Sequence, residues 1–186
     1  MKGHGSTIKT TPGFDAHALT TERLVLQPLT ESDAPLFHQI NTDPFVRRFL
    51  WDDEVIPAVA SRDIIFTSQR HFDDSNWGLW KVLDKAARHF LGYAGLWCFF
   101  DEPQPQLLYA LRPQFTGRGY AQEAAAAVIG YAFNSLNFED LVASMDAPNT
   151  ASVRVCERLG MQKVEERRTG EAVTLFYRLV RPDDLK

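Results

Sequence analysis

Cysteine is scarce in this chain, with only Cys98 and Cys156 among 186 residues. Both lie in apolar stretches, and their neighbours show no spacing typical of a metal site. Such a pattern is typical of reduced thiols in the core of a cytosolic protein. We therefore expect neither a disulfide framework nor a bound metal.

Long apolar runs and an excess of basic residues are also missing. No run approaches the ~20 residues of a membrane-spanning helix, and the N-terminus lacks the apolar centre of a signal peptide. The formal net charge is −4, so the basic stripe of a general nucleic-acid binder is not expected. These absences predict a soluble, cytoplasmic protein without a membrane or nucleic-acid partner.

The remaining composition is that of one ordinary globular domain. Apolar residues make up 45% and charged residues 24% of the 186 residues, which is enough chain for a substantial core. Residues 1–19 show no periodicity and are expected to form a mobile or loosely docked arm. Residues 20–186 are expected to form the single domain, as a monomer or a homodimer.

The most informative stretch is an apolar strand followed by a turn and a helix. The strand is Leu107–Leu111, and from Ala121 onward apolar residues recur at the i, i+3, i+4, i+7 spacing of a buried helix face. Between them lie Gly117 and Gly119, which have no side chain to keep a ligand away from the backbone. The first N–H groups and the dipole of the helix favour an anion at the same place. This turn therefore predicts a site for a phosphate-bearing cofactor.

Two glycines alone leave other interpretations open. The turn can simply join a strand to a core helix, since a lone G-x-G is a weak signal. A dinucleotide-binding turn is disfavoured because Gln122 stands where its third small residue belongs, and because the turn comes late in the chain. A Walker phosphate loop is excluded, since no Gly-Lys-Ser/Thr follows.

The pattern Gln114-x-x-Gly117-x-Gly119, between a strand and an alanine-rich helix, resembles the pyrophosphate motif of the GNAT superfamily of N-acetyltransferases. A second segment, Asp146 to Met161, is similar to the family's N-x-x-S…ERLGM helix. Two further segments, Thr21 to Leu29 and Leu91 to Leu96, resemble the branch that acetylates the N-termini of ribosomal proteins. The likeness runs in order over residues 21–180.

The resemblance implies a mixed α/β fold with a mostly antiparallel central sheet flanked by helices. The predicted order of elements, which is strand, helices, three strands, helix, strand, helix and two strands, agrees with it. In the family two central parallel strands splay apart. The opening would fall between Leu107–Leu111 and Leu141–Met145, where the pantetheine arm of the cofactor would enter.

Local patterns predict three helices between the first two strands, and the last of them is expected to end in a turn at Asp73–Asn76. In the second helix, the apolar residues Phe45, Val46, Phe49 and Leu50 are expected to face the core. Five aromatic residues lie on the strands that are expected to form the floor of the acceptor cleft. They are Trp77, Trp80, Trp97, Phe99 and Phe100. Some of them are expected to be core, and not all can line a pocket, since neighbours along a strand face opposite sides.

The resemblance implies acetyl-CoA as cosubstrate and assigns cofactor-binding positions on three segments. These positions are Tyr109, Ala110 and Leu111 on the strand, Gln114, Gly117, Arg118, Gly119, Tyr120, Ala121 and Gln122 in the turn and first helical residues, and Asn149 and Ser152 on the second motif helix. On the plain interpretation, Arg118 is a solvated loop arginine and Asn149 is only a helix cap.

Ser152 is the catalytic candidate, because the resemblance puts its hydroxyl near the cofactor sulfur. Its plain interpretation is a residue that bonds locally in the first helical turn. The chain departs from better-known members, which carry a tyrosine where Cys156 stands and a glutamate where Ser144 stands. Cys156 is therefore expected to be a core thiol. The candidate bases near strand ends, each also interpretable as a solvated turn carboxylate, are Asp101, Glu102, Asp146 and Glu171.

The expected function is transfer of an acetyl group from acetyl-CoA to a primary amine by direct attack on the thioester. The acceptor stays open between a protein N-terminus and a small amine, such as a polyamine, an amino sugar or an amino acid. The missing glutamate favours an α-amino group, with a pKa of about 7.7–8.0, over a lysine, with a pKa of about 10.4. The alternatives are a catalytically weak or inactive CoA-binding module and a dinucleotide-binding oxidoreductase, which the incomplete glycine pattern disfavours.

Overall fold

In the part of the chain that the structure describes, eight strands form two sheets that the helices cover. The structure is a computed structural model that describes residues 17–100, 102 and 104–182. The strands are β1 (Leu19–Thr20), β2 (Leu24–Pro28), β3 (Leu79–Asp84), β4 (Phe90–Trp97), β5 (Gln106–Leu111), β6 (Asp140–Asp146), β7 (Gln162–Thr169) and β8 (Ala172–Val180). The larger sheet has the order β1-β2-β3-β4-β5 and the smaller one β6-β8-β7. All of these ladders are antiparallel.

Among the described residues, five α-helices connect and cover the sheets. They are α1 (Ala34–Thr42), α2 (Pro44–Leu50), α3 (Ala58–Ser75), α4 (Tyr120–Asn134) and α5 (Thr150–Arg158). The side chain of Asp43 caps α2 by accepting a hydrogen bond from the N–H of Phe45 at 2.8 Å, and Pro44 occupies the first helical position. The predicted capping box also forms, with the N–H of Thr30 donating to Asp33 Oδ2 at 2.8 Å.

The prediction of a turn at Asp73–Asn76 is wrong for its first three residues, which are still helical. The helix α3 continues to Ser75, and only Asn76 leaves it, with a left-handed φ of 61°. The polar residues of this last turn are exposed, while Phe72 is buried against Trp80 with ring centroids 4.7 Å apart. Packing of Phe72 therefore keeps the last turn helical, although its composition is typical of a loop.

The sheet is covered on both faces, so two hydrophobic clusters form. One cluster joins α4 and α5 to the sheet through residues such as Val128, Phe133 and Cys156. The other joins α1, α2 and α3 to the opposite face through residues such as Phe37 and Tyr93. Because both faces are covered, every residue of β4 before Trp97 is buried.

The sheet is open between β5 and β6, the two strands that α4 connects. In the described part of the chain, β5 pairs with β4 and β6 pairs with β8, but no ladder joins β5 to β6. The predicted fold class is confirmed, with the opening between the expected strands. The backbone along this edge of β5 therefore faces a gap instead of another strand.

The predicted N-terminal arm lies mainly outside the described residues, which begin at His17. The described end of it is docked. The indole N–H of Trp80 donates to the carbonyl of His17 at 2.6 Å, and the His17 ring packs on Phe72 at 5.2 Å between centroids. Leu19 pairs with Leu26 as part of β1.

Two predictions of burial are wrong. Cys98 is exposed, because the chain leaves the sheet after Trp97. In α2 only Val46 is fully buried, whereas Phe45 is 43% exposed. A short helix at the edge of a sheet can bury one narrow stripe, so the other apolar residues of α2 stay accessible.

Gly95 in β4 and Gly130 in α4 provide a matched test of packing. An alanine at Gly95 would place its Cβ 2.2 Å from the carbonyl oxygen of Gly78, whereas a Cβ at Gly130 meets nothing within 4 Å. We expect Gly95→Ala to lower the free energy of unfolding by about 1–3 kcal/mol through overpacking. Gly130→Ala should raise it by about 0.5–1 kcal/mol, since alanine favours the helix. Urea denaturation measures both, and equal effects would contradict this packing.

Candidate active site

A cavity of about 510 Å³ occupies the opening between β5 and β6. Its walls come from β5, β6, the residues before and within α5, the glycine turn with the start of α4, and the α2 helix. The side chains of β5 alternate across the sheet, so Tyr109 packs with the α4 and α5 cluster and Ala110 with the α1 and α2 cluster. The cavity is therefore lined from both sides of the sheet.

The glycine turn places backbone that no side chain covers at one end of the cavity. Gly117 and Gly119 have φ values of 71° and 79°, which L side chains rarely adopt. A Cβ at Gly117 would meet nothing within 4 Å. Gly119 is the N-cap of α4 and offers no side chain to satisfy the first helical N–H groups. These groups and the helix dipole make this end of the cavity suited to an anion.

Most of the cofactor-binding residues predicted from the sequence come together at this cavity. Those that line it are Tyr109, Ala110, Leu111, Gly117, Gly119, Tyr120, Ala121, Gln122, Asn149 and Ser152. Gln114 instead lines a smaller cavity of about 60 Å³ between α1 and the 3-10 turn at Pro113–Phe115. Arg118 is exposed and does not line the large cavity.

Arg23, the residue before β2, forms an ion pair that holds the glycine turn against α4. Arg23 contacts Glu123 at 2.6 Å through its guanidinium, and its backbone N–H donates to the same carboxylate at 2.9 Å. Arg23 also donates to the carbonyl of Arg118 at 3.1 Å and lies 4.6 Å from the centre of the Tyr120 ring. Burial alone would raise the pKa of Glu123, but hydrogen bonds from Thr21 and Arg23 outweigh it and keep the pKa below its usual value.

The start of α5 presents polar groups to the same cavity. The Asn149 side chain caps the helix by accepting from the N–H of Ser152 at 3.2 Å, which leaves its amide NH₂ available to a ligand. The carbonyl of Ser152 accepts from the hydroxyl of Tyr109 at 3.2 Å. Within the described residues, no hydrogen bond occupies the Ser152 hydroxyl, and Ser152 lines the cavity.

Cys156 lies behind this wall as a buried thiol, 3.9 Å from the Tyr109 hydroxyl. Burial raises the pKa of Cys156 to about 11, so the thiol is protonated at neutral pH and a poor nucleophile. Burial also raises the pKa of Tyr109 well above its usual value. Cys156 is therefore a core thiol, as the sequence predicted.

The candidate bases are not equivalent in the structure. Glu102 pairs with Arg167 at 3.5 Å, and Glu171 is exposed at the turn between β7 and β8. Asp101 lies outside the described residues. Asp146 is half-buried at the end of β6, and burial, with a smaller contribution from the charge of Asp52, raises its pKa. Asp146 is thus the carboxylate whose environment differs most from that of a solvated turn residue.

Sequence reasoning missed the wall that α2 contributes, formed by Phe45, Val46, Arg48, Phe49 and Leu50. The available signal was two phenylalanines four residues apart beside Arg48, on a helix too short to bury all of them. Some of the five aromatic residues on the strands expected to form the cleft floor were expected to be core, and none of the five lines the cavity. Trp77 and Trp97 pack on His71, Trp80 is in the core, and Phe100 packs on Phe176.

The charges on the cavity wall are all positive. Its charged lining residues are Arg48, Arg154 and Arg158, with no aspartate or glutamate among the described lining residues. This is unexpected for a chain with a net charge of −4. In the described ranges, no cluster of three or more His, Cys, Asp or Glu side chains could hold a metal, and no helix is long and apolar enough to cross a bilayer.

A split sheet, a glycine turn at an uncapped helix N-terminus and a cavity whose described charges are arginines are features that suit an acyltransferase with an anionic acyl carrier. The family comparison agrees, because the sequence model for the acetyltransferase (GNAT) domain matches residues 23–162. The chain belongs to this family of acetyltransferases.

Several relatives with similar sequences come from bacilli. The chain is 33% identical over 146 residues to the uncharacterised protein YkkB of Bacillus subtilis, covering 77% of this chain and 84% of that protein. It is 27% identical over 146 residues to the uncharacterised N-acetyltransferase p20 of Bacillus licheniformis, covering 78% and 82%.

Solved structures show the same fold. An acetyltransferase from Agrobacterium tumefaciens superimposes with a TM-score of 0.77 at 24% identity, over 96% of this chain and 100% of that one. RimL, a ribosomal L7/L12 α-N-protein acetyltransferase solved with coenzyme A, superimposes with a TM-score of 0.75 at 16% identity, over 88% and 97%.

Proposed function

We propose that this protein is an acetyl-CoA-dependent N-acetyltransferase that acts on a primary amine of a protein N-terminus or of a small molecule. The observation that carries the proposal is the cavity between β5 and β6, with uncapped helical N–H groups at one end and with arginines as the charged residues of its described lining. The phosphates of coenzyme A would match both features, since they are multiply charged anions.

The residues divide naturally along such a cofactor. The turn at Gly117–Gly119 and the first residues of α4 would hold the pyrophosphate, and the unpaired edge of β5 would bond the pantetheine amides. Arg154 and Arg158 lie one turn apart on α5 and line the cavity, so they can supply charge to phosphate. Asn149 can serve as helix cap and as amide donor at once.

The reaction needs little covalent chemistry from the protein. The acceptor nitrogen attacks the thioester carbonyl carbon, the carbon–sulfur bond breaks, and the proton lost by the amine balances the one gained by the departing sulfur. Holding the two reactants together supplies much of the rate enhancement. The Ser152 hydroxyl is the group we propose to orient or protonate the sulfur, because it lines the cavity and has no partner among the described residues.

Asp146 is the proposed general base, acting through water. It stands between the lining residues Met145 and Pro148, although it does not line the cavity itself. Its raised pKa brings a carboxylate closer to the range useful for proton transfer at neutral pH. An α-amine, which is partly neutral at pH 7, needs only such modest help.

The ribosomal-protein branch of the family is the finer proposal for the acceptor. It is supported by the segments Thr21 to Leu29 and Leu91 to Leu96 and by the structural likeness to RimL. The arginine lining of the cavity disfavours a polyamine, whose several positive charges would be repelled there.

A catalytically weak CoA-binding module is the second candidate. Two observations favour it, namely Cys156 where better-known members carry a tyrosine and Ser144 where they carry a glutamate. Both candidates should bind coenzyme A. Only an active acetyltransferase should release free thiol from acetyl-CoA at a substantial rate when an amine is added, so this measurement separates them.

Gly119→Val tests the cofactor site. Valine should strain a residue with φ of 79° and place its side chain beside the helix N-terminus. We expect CoA to bind at least tenfold more weakly, about 1.4 kcal/mol, in isothermal titration. Gly170→Val is the matched control, because Gly170 has a φ of 61° in a hairpin outside the cavity lining. In wild type, CoA should raise the melting temperature and NAD should not. Unchanged CoA affinity in Gly119→Val would remove the turn from the site.

Ser152→Ala tests the proposed catalytic hydroxyl. If this hydroxyl acts on the sulfur, the variant should lose turnover while its acetyl-CoA affinity changes little. Cys156→Ala should instead lower the free energy of unfolding, since the thiol is fully buried, and leave CoA binding intact in the folded fraction. Full activity in Ser152→Ala would exclude the serine from the chemistry.

Asp146→Asn tests the proposed base through activity and stability together. Folding holds the Asp146 proton more tightly, so wild-type stability should fall as pH rises from the usual carboxyl value through the raised pKa. The variant should lack this fall and be at least as stable at pH 7, yet turn over at least tenfold more slowly. Glu171→Gln, at an exposed carboxylate, is the control. An active Asp146→Asn enzyme with an unaltered pH–rate profile would rule out this base.

A further inference from the structure

We propose that Arg48 binds a carboxylate of the acceptor, so that the preferred substrates are amines with a carboxylate close to the reacting nitrogen. This inference rests on the proposed function and deepens it. It starts from the position of α2, which adds an arginine to a cavity wall that contains no described carboxylate.

The two sides of the cavity differ in what they can bind. The glycine turn, α4 and α5 pack on one face of the sheet, with Tyr109 of β5. The α2 helix packs on the opposite face, where Val46 joins Phe37, Ile40 and Ala110. If the phosphates of the cofactor occupy the bare end of α4, α2 is left to face the second substrate.

Arg48 is exposed, and its guanidinium packs against two aromatic rings of the same helix. Its guanidinium carbon lies 4.3 Å from the centre of the Phe49 ring and 5.7 Å from that of Phe45. All three residues line the cavity. Stacking leaves the edge of a guanidinium open, and this edge carries the paired N–H donors that match a carboxylate.

The carboxylates near α2 do not neutralise Arg48. Asp53 pairs with the neighbouring Arg47 at 2.9 Å, and the charge of Asp52 acts on Asp146. Among the described residues, Arg48 makes no ion pair. An arginine on a cavity wall without a carboxylate partner among the described residues is therefore available to an anionic group of a ligand.

The carboxylate has two possible sources, which share this chemistry. One is the α-carboxylate of a free amino acid, and the other is an acidic side chain next to a peptide N-terminus. Phenylalanine against phenylalaninamide tests the first source. A peptide with aspartate at its second position, against the same peptide with asparagine, tests the second.

The experiment measures kcat/KM for both acceptor pairs in wild type, Arg48→Met and Arg48→Lys. The preference for the carboxylate member over its amide should fall at least tenfold in Arg48→Met for one pair, and that pair identifies the source. Comparing enzymes with the same acceptors cancels the difference in amine pKa between an acid and its amide. Arg48→Lys should keep part of the preference, because lysine supplies charge without the paired donors.

Two controls separate this inference from loss of folding or of the cofactor. Arg62→Met removes an exposed arginine of α3 outside the cavity lining and should keep the preference. Arg158→Met should weaken CoA binding and keep the acceptor preference. The same preference in wild type and Arg48→Met for both pairs would overturn the inference.

If no acceptor of either pair is acetylated although CoA binds, the melting temperature of the CoA complex replaces the rate. N-acetylphenylalanine should then stabilise wild type more than N-acetylphenylalaninamide does, and Arg48→Met should lose the difference. Equal stabilisation of wild type by the two compounds would contradict the role of Arg48. Absence of CoA binding in wild type would overturn the proposed function and this inference together.

Discussion

The missing ladder between β5 and β6 is the constraint on which the site depends. Backbone N–H and C=O groups on a strand edge need partners, and in the described structure no strand supplies them on this side of β5. A cavity of about 510 Å³ fills the gap. An extended ligand with amide groups can bond such an edge much as a strand would, so the opening in the sheet creates the binding site.

The opening between β5 and β6 is stable because contacts outside it hold the elements on both of its sides. The α4 helix leaves β5, packs its buried face on the sheet and leads into β6. Its first turn is tied to the start of β2 by the pair of Arg23 and Glu123, and α5 is tied to β5 by the hydroxyl of Tyr109. These contacts fix the glycine turn and the start of α5 in position before a ligand arrives, which reduces the ordering cost of binding.

The distribution of charge is more informative than its sum. The chain has a net charge of −4, but the described charges on the cavity wall are all arginines. Acidic residues lie elsewhere, for example on β7, where Glu165 and Glu166 pair with arginines of the same strand. A small cavity responds to its own lining because exposed charges beyond roughly 8–10 Å are screened at physiological salt.

Several features were decided by the sequence alone. Periodicity located the strands and helices to within a few residues, since burial imposes spacing on apolar residues. Glycines at 117 and 119 indicated the anion site, because a left-handed turn before a helix needs them. The family also followed from motifs whose order and spacing the chain retains. The resemblance to that family further implied the opening between β5 and β6.

Tertiary structure alone decided which side chains share the cavity. It placed Arg23 on the glycine turn, 95 positions away along the chain, and made Phe45, Arg48 and Phe49 of α2 part of the wall. It distinguished Asp146 from Glu102, two carboxylates that look alike in the sequence, by burying one and pairing the other. Local sequence determines backbone conformation and the buried face of each element, but contacts across the sheet depend on how separate elements pack.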